Sequence, residues 1–208
     1  MPLNLPFKHI LSLLTPFCYN LYSKPFKTPL ACLKFDLNIK TKHMHINFLA
    51  VLVAALVPMV MGFIWYSPKT FAPAWIREAG LDEEKLKGAN MAVVFGVSFV
   101  MSFLFAFALQ FAVIHQFHFG SMLFKTGFED PNTEIGAMYK TIMDQYGTAY
   151  RTFKHGALHG TITGIFMITP VIVIVSLFER RSFKYMAISF GYWIICCAIM
   201  GGIVSAWM

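Results

Sequence analysis

Four histidines are spaced as metal ligands on helices would be. His155 and His159 stand at i, i+4, and His115 and His118 at i, i+3. Either spacing lets one helix present two imidazoles from one side. Two such pairs on neighbouring helices would form a nitrogen-rich site for a transition metal, tetrahedral or octahedral, or for haem. The same rings could handle protons, or could simply sit where a membrane surface meets water. No other constellation suggests catalysis. The apolar stretches hold no paired carboxylates, nucleophile elbow or phosphate loop, and their isolated serines and threonines suit contacts between helices. No catalytic residue is therefore expected.

A second pattern runs through the same segment, RTFKHGALHGTITGIF (residues 151–166). Gly156, Gly160 and Gly164 make a double small-xxx-small run, which lets membrane helices pack backbone to backbone. Each histidine of the pair precedes a seam glycine, so its side chain lies about 100° round the helix, at the border of the contact. Gly191, Gly201 and Gly202, with Cys197 and Ala198, offer small positions further on. Gly156–Gly164 should face the Cys197–Gly202 region.

The elements that must carry these residues follow from composition. Hydrophobic residues make up 57% and charged residues 13% of the 208-residue chain, where soluble domains carry about 25% charged. Four stretches are long and apolar enough to span a bilayer: Ile46–Tyr66, Met91–His115, Gly156–Phe178 and Tyr185–Trp207. Lipid leaves the backbone no outside partner, so they are predicted to be helices. Pro58 and Pro170 should kink the first and third. The expected fold is all-α, with four transmembrane helices in two antiparallel hairpins. Between spans two and three, Ile135, Met138, Tyr139, Ile142, Met143 and Tyr146 recur with helical period, predicting an amphipathic helix in the long loop, capped by Asn132 or Thr133. Asp82–Lys87 reads as a short charged helix. The adjacent Cys196 and Cys197 read as small packing residues rather than a redox pair.

The net charge of +7 is concentrated at one end. Residues 1–43 hold six lysines and one aspartate, which leaves +2 for the rest, and no basic helix with stacking aromatics points to nucleic acid. Residues 1–43 fit neither a signal peptide nor a span, and Met44 stands directly before span one. They are read as an extension, disordered or lying upstream of a true start at Met44, with 44–208 as the membrane domain. Counted from Met44, the loops after spans one and three carry seven basic residues against four in the long loop. That places the former in the cytoplasm and both termini outside. Including residues 1–43 would reverse the orientation.

Span one ends in a recognisable motif: Gly62, Trp65, Tyr66, Ser67 and Pro68, then Phe71 and Trp75. Together with the later FKHGALHG and FERRSFKY segments, it resembles the start and C-terminal half of a bacterial membrane-protein family, the domain-of-unknown-function family numbered 1761. The resemblance covers residues 44–207. It implies a four-helix membrane protein of the bacterial inner membrane and no activity. The motif itself reads as an interface anchor and packing corner, because the residue before a proline leaves the α region. The leading functional expectation is a structural or accessory bundle that binds lipid and a membrane partner or a second copy. A metal- or haem-binding protein using the clustered histidines, and a small transporter or channel subunit, are the alternatives.

Overall fold

The computed structural model describes residues 46–82 and 88–208. The expectations for residues 1–45 and for the charged helix up to Lys87 lie outside the described residues. Two helices form the first part, α1 (Phe48–Trp65) and α2 (Ala72–Ala79). Then come α3 (Met91–Val113), α4 (His115–Met122) and α5 (Glu134–Tyr146). The rest comprises α6 (Phe153–Thr163), a π turn (Gly164–Ile168), α7 (Thr169–Phe178) and α8 (Phe183–Ala206). Short polar side chains set five of the starts, each accepting from a backbone N–H of the first turn. Asn47 caps α1, Asn90 α3, Thr133 α5, Thr152 α6 and Ser182 α8.

Four helical segments are long and apolar enough to cross a membrane: Phe48–Trp65, Met91–Val113, Phe153–Phe178 and Phe183–Ala206. Their outward surfaces carry residues that water would not tolerate in such number, among them Phe63 (67% exposed), Val97 (55%) and Phe166 (72%). A surface of this kind suits hydrocarbon. The chain is a membrane protein.

Span two is shorter than the sequence suggested. It ends at Val113, where Ile114 takes an extended conformation (φ −107°, ψ 101°) and is itself buried. His115 therefore opens a new helix instead of closing the old one. Span three starts at Phe153, earlier than expected, because Thr152 caps it. It is interrupted by the π turn. There the Thr169 N–H and hydroxyl both donate to the Gly164 carbonyl, just before Pro170, which has no N–H to give.

The central element is α8, which packs against α1, α3, α6 and α7. With α1 and α3 it encloses the apolar core, including Val51, Ala54, Leu109, Val113, Cys196 and Met200. Against α6 the contact is closer still. A Cβ on Gly156 would collide with the Gly201 carbonyl oxygen and Ser205, and one on Gly160 with the Cys197 carbonyl oxygen. One on Gly164 would come within 2.9 Å of the Ile194 Cα. The partners fall in number as the glycines rise, so the two helices run antiparallel. Gly202 faces the Phe153 ring at the end of this seam. Gly191 differs: it faces the Trp65 ring of α1 rather than α6, at a distance where a Cβ would make ordinary contact. Lipid is as apolar as leucine, so close packing rather than water exclusion holds such helices together.

Two substitutions measure this packing. Gly160→Ala should lower stability by about 3 kcal/mol, because a backbone rather than a flexible side chain must move. Ser205 is buried, and its hydroxyl has no hydrogen-bond partner. Ser205→Ala should therefore be neutral or stabilising, since it removes an unsatisfied polar group worth about 1–3 kcal/mol. Thermal unfolding of both variants in one detergent checks the pair; a Gly160→Ala midpoint equal to wild type would contradict the seam.

Candidate functional site

At the end of the bundle where α3 stops and α6 starts, three imidazoles converge. Thr152 fixes the first turn of α6, its hydroxyl accepting from the His155 N–H at 3.2 Å. His159 follows one turn later on the same side, with ring centroids 4.6 Å apart. The third ring comes from the break at Ile114, which sets His115 at the head of α4. His115 Nε2 lies 2.9 Å from His155 Nε2, and its ring centroid is 4.7 Å from that of His159. One nitrogen from each of the three lies within 4.8 Å of the others. His155 and His159 are half-buried and His115 is exposed.

His118 is not in this group. It lies exposed on α4, where its carbonyl accepts from the Ser121 hydroxyl. Nor, among the described residues, does a carboxylate join. Asp130 is engaged with Asn132 at the start of the α5 segment, and Asp144 with Lys140 along it. The set is thus three nitrogen donors and no carboxylate, which suits zinc, copper, nickel or ferrous iron better than calcium or magnesium. Two nitrogens bound to a tetrahedral zinc at 2.0–2.1 Å sit about 3.3 Å apart; the His115–His155 pair is at 2.9 Å, and all three nitrogens lie within 4.8 Å of one another.

Two neighbours brace the site. Tyr150 adopts a left-handed conformation (φ 62°), uncommon for a bulky residue, and its ring lies 5.0 Å from that of His155. Arg151 reaches across to the end of α8. Its Nε donates to the Ser205 carbonyl at 2.7 Å, and its Nη2 to the Trp207 carbonyl at 3.2 Å. A helix C-terminus presents unpaired carbonyls and a partial negative charge, and the guanidinium satisfies both. Burial lowers the Arg151 pKa, yet guanidinium stays charged in proteins. Neither role is signalled in the sequence, where Arg151 is one loop cation among several.

Between α4 and the α5 segment, the buried Gln116 amide donates to the Ala149 carbonyl at 2.9 Å. Tyr139 of α5 stacks on Phe119, with centroids 5.4 Å apart, and meets Phe128 edge-on. Burial raises the Tyr139 hydroxyl above its ordinary value. These contacts tie the long loop to α4, and so to the element that carries His115.

The opposite end holds the aromatic motif. Trp65 donates its indole N–H to the Ile188 carbonyl at 3.1 Å, which pins α1 to α8. Its ring packs on Phe71, and Tyr66 contacts both Trp75 and Tyr192. Thr70 turns the chain after Ser67 and Pro68 by donating to the Trp65 carbonyl at 2.6 Å. Gly62 lies beneath the Tyr192 hydroxyl, which donates to the Pro58 carbonyl. Past α2, Glu78 accepts from the Ser182 hydroxyl at 2.7 Å. That bond and the adjacent Arg77 hold its carboxyl below the usual range.

The family described as protein of unknown function DUF1761 matches residues 49–205. The chain belongs to this family. No curated protein and no solved structure matches it. The DUF1761 match takes in both the aromatic corner and the three-histidine group.

The corner makes a measurable claim. Trp65→Phe keeps an aromatic ring but removes the donor to Ile188, and should cost about 1 kcal/mol. Thermal unfolding in detergent reads the loss; an unchanged midpoint would mean that the indole N–H contributes nothing to joining α1 and α8.

Proposed function

We propose that this protein is a multi-pass protein of the bacterial cytoplasmic membrane that binds a divalent transition metal through His115, His155 and His159. One observation carries the reading: three imidazole nitrogens from two separate helices lie within 4.8 Å of one another. Neutral imidazole is a strong ligand for such ions, and three histidines leave a coordination position open for water or a small ligand. The exposed edge at His115 gives that position a route to solvent. The same spacing speaks against haem, because rings with centroids 4.6–5.2 Å apart leave no slot for a porphyrin.

The arrangement proposed is two antiparallel hairpins, α1 with α3 and α6–α7 with α8, with α5 lying along the membrane surface. Basic residues favour the cytoplasm for the two short-loop segments, which sets the histidine end on the far side. A metal there would bridge the end of span two to the start of span three.

The test is metal analysis of detergent-purified protein carrying an affinity tag without histidine, expressed separately with zinc, copper, nickel and iron. Wild type should retain about one equivalent of one of these. His155→Ala/His159→Ala should fall to background while still eluting as a folded species, and His118→Ala should match wild type. Metal-free wild type under every supplement would sink the reading and leave a structural or accessory bundle in its place.

A further inference from the structure

Away from the histidines, the bundle is not closed. A cleft of about 940 Å³ opens along α1 and α3, with Tyr192 and Trp193 of α8 on its inner wall; the rings of Phe63 and Phe95, which both line it, are 5.7 Å apart. It exists because small residues, Gly62 and Ala72 on one side and Ser98 and Ser102 on the other, stand where neighbours are Phe and Met. Along α3 it runs from Met91 to Phe105, about 21 Å at 1.5 Å per residue. One leaflet of hydrocarbon is about 15 Å deep, so the cleft begins at the water interface and ends a little past the midplane.

Its two ends differ. At the mouth, Trp75 and Ile76 of the short helix α2 line it, and Trp75 stacks on Tyr185. The floor is closed by Phe105 and Trp193, whose rings meet edge-on at 5.7 Å. A transmembrane helix from a partner or a second copy would need a groove along its whole length, about 10 Å wide. This cleft has a floor halfway. It suits a thin apolar chain entering from one side.

The rim selects the head. Lys69 lies in the turn between Tyr66 and Ala72, both of which line the cleft, and Lys184 adjoins Tyr185. Lys69 forms no ion pair among the described residues, while Lys184 lies near enough to Glu78 to help hold that carboxyl below its usual range. Cations at headgroup level attract anionic lipid.

We propose that this cleft is a binding site for one acyl chain of a bilayer lipid with an anionic headgroup, the chain along α1 and α3 and the head beside Lys69 and Lys184. The site shares no residue with the three-histidine group and stands whether or not that group binds metal.

Photolabelling tests it. The full-length protein is placed in phosphatidylcholine vesicles doped with a small fraction of phosphatidylglycerol bearing a mid-chain diazirine. A parallel sample carries phosphatidylcholine with the same diazirine chain, and labelled sites are mapped by mass spectrometry. Label from phosphatidylglycerol should concentrate on 58–66 and 91–105, about tenfold above the outer face of α7, and excess unlabelled phosphatidylglycerol should displace it. Ser98→Phe should abolish the cleft label and leave the α7 label unchanged. Lys69→Glu/Lys184→Glu should erase the preference over phosphatidylcholine. Even label over all lipid-facing helices, equal label from both headgroups, or a second copy of the chain crosslinked across the cleft would each overturn the proposal. If Ser98→Phe fails to fold, the wild-type map and its competition decide by themselves.

Discussion

Between α6 and α8 the backbones approach until no side-chain carbon fits between them. Gly156 and Gly160 lie on the carbonyls of Gly201 and Cys197 at that line, and the other features of this end depend on it. Because α8 is held there, its opposite face is free to build the core with α1 and α3. Because α6 is held there, its first turn is fixed in height, and with it His155 and His159. Arg151, two residues before that helix, then falls beside the open carbonyls at the end of α8. Van der Waals contact is the main attraction between helices in lipid, and it is strongest where atoms are densest.

The two ends of the bundle are built on different chemistry. One is an aromatic corner, in which indole and phenol groups satisfy backbone carbonyls while their rings fill space. The other is a polar end of imidazole, guanidinium and amide groups. Aromatic groups tolerate the headgroup region because they are apolar on their faces and polar at their tips. Imidazole and guanidinium need partners: the imidazoles meet one another between α4 and α6, and the guanidinium takes the last carbonyls of α8. The corner joins α1, α2 and α8 beside the mouth of the cleft, and the polar end ties the long loop to the spans.

Much of this was readable in advance, for physical reasons. Lipid demands unbroken apolar runs, so the four spans stand out from composition. Glycine at every fourth place has few uses in a membrane other than close approach, so the line Gly156–Gly164 was visible; Gly156 and Gly160 meet Gly201 and Cys197 as expected, but Gly164 meets Ile194, beyond the expected stretch. The break at Ile114 was not. It has neither glycine nor proline, and Val113–Ile114 could continue a helix equally well. That break decides between His115 and His118, which spacing alone treated as equals. Tyr150 was hidden for a similar reason, since nothing about tyrosine announces a left-handed backbone. Gly191 misled because a small residue shows that something comes close but not what comes. Here it is the Trp65 ring rather than α6.

The π turn at Gly164–Ile168 has the effect of one surplus residue in an otherwise α-helical span. One residue is about 100° of rotation, so the turn resets the phase of everything after it. On α7, Ser176 points into the bundle and is 3% exposed, while Val171, Ile174 and Leu177 point out. With the surplus residue absent, the same sequence would carry its hydroxyl round toward hydrocarbon and bring branched apolar side chains against α8. A change of one residue in length between the two halves would turn α7 by about 100° against α8. A local irregularity thus sets which side of α7 faces the bundle and which faces outward.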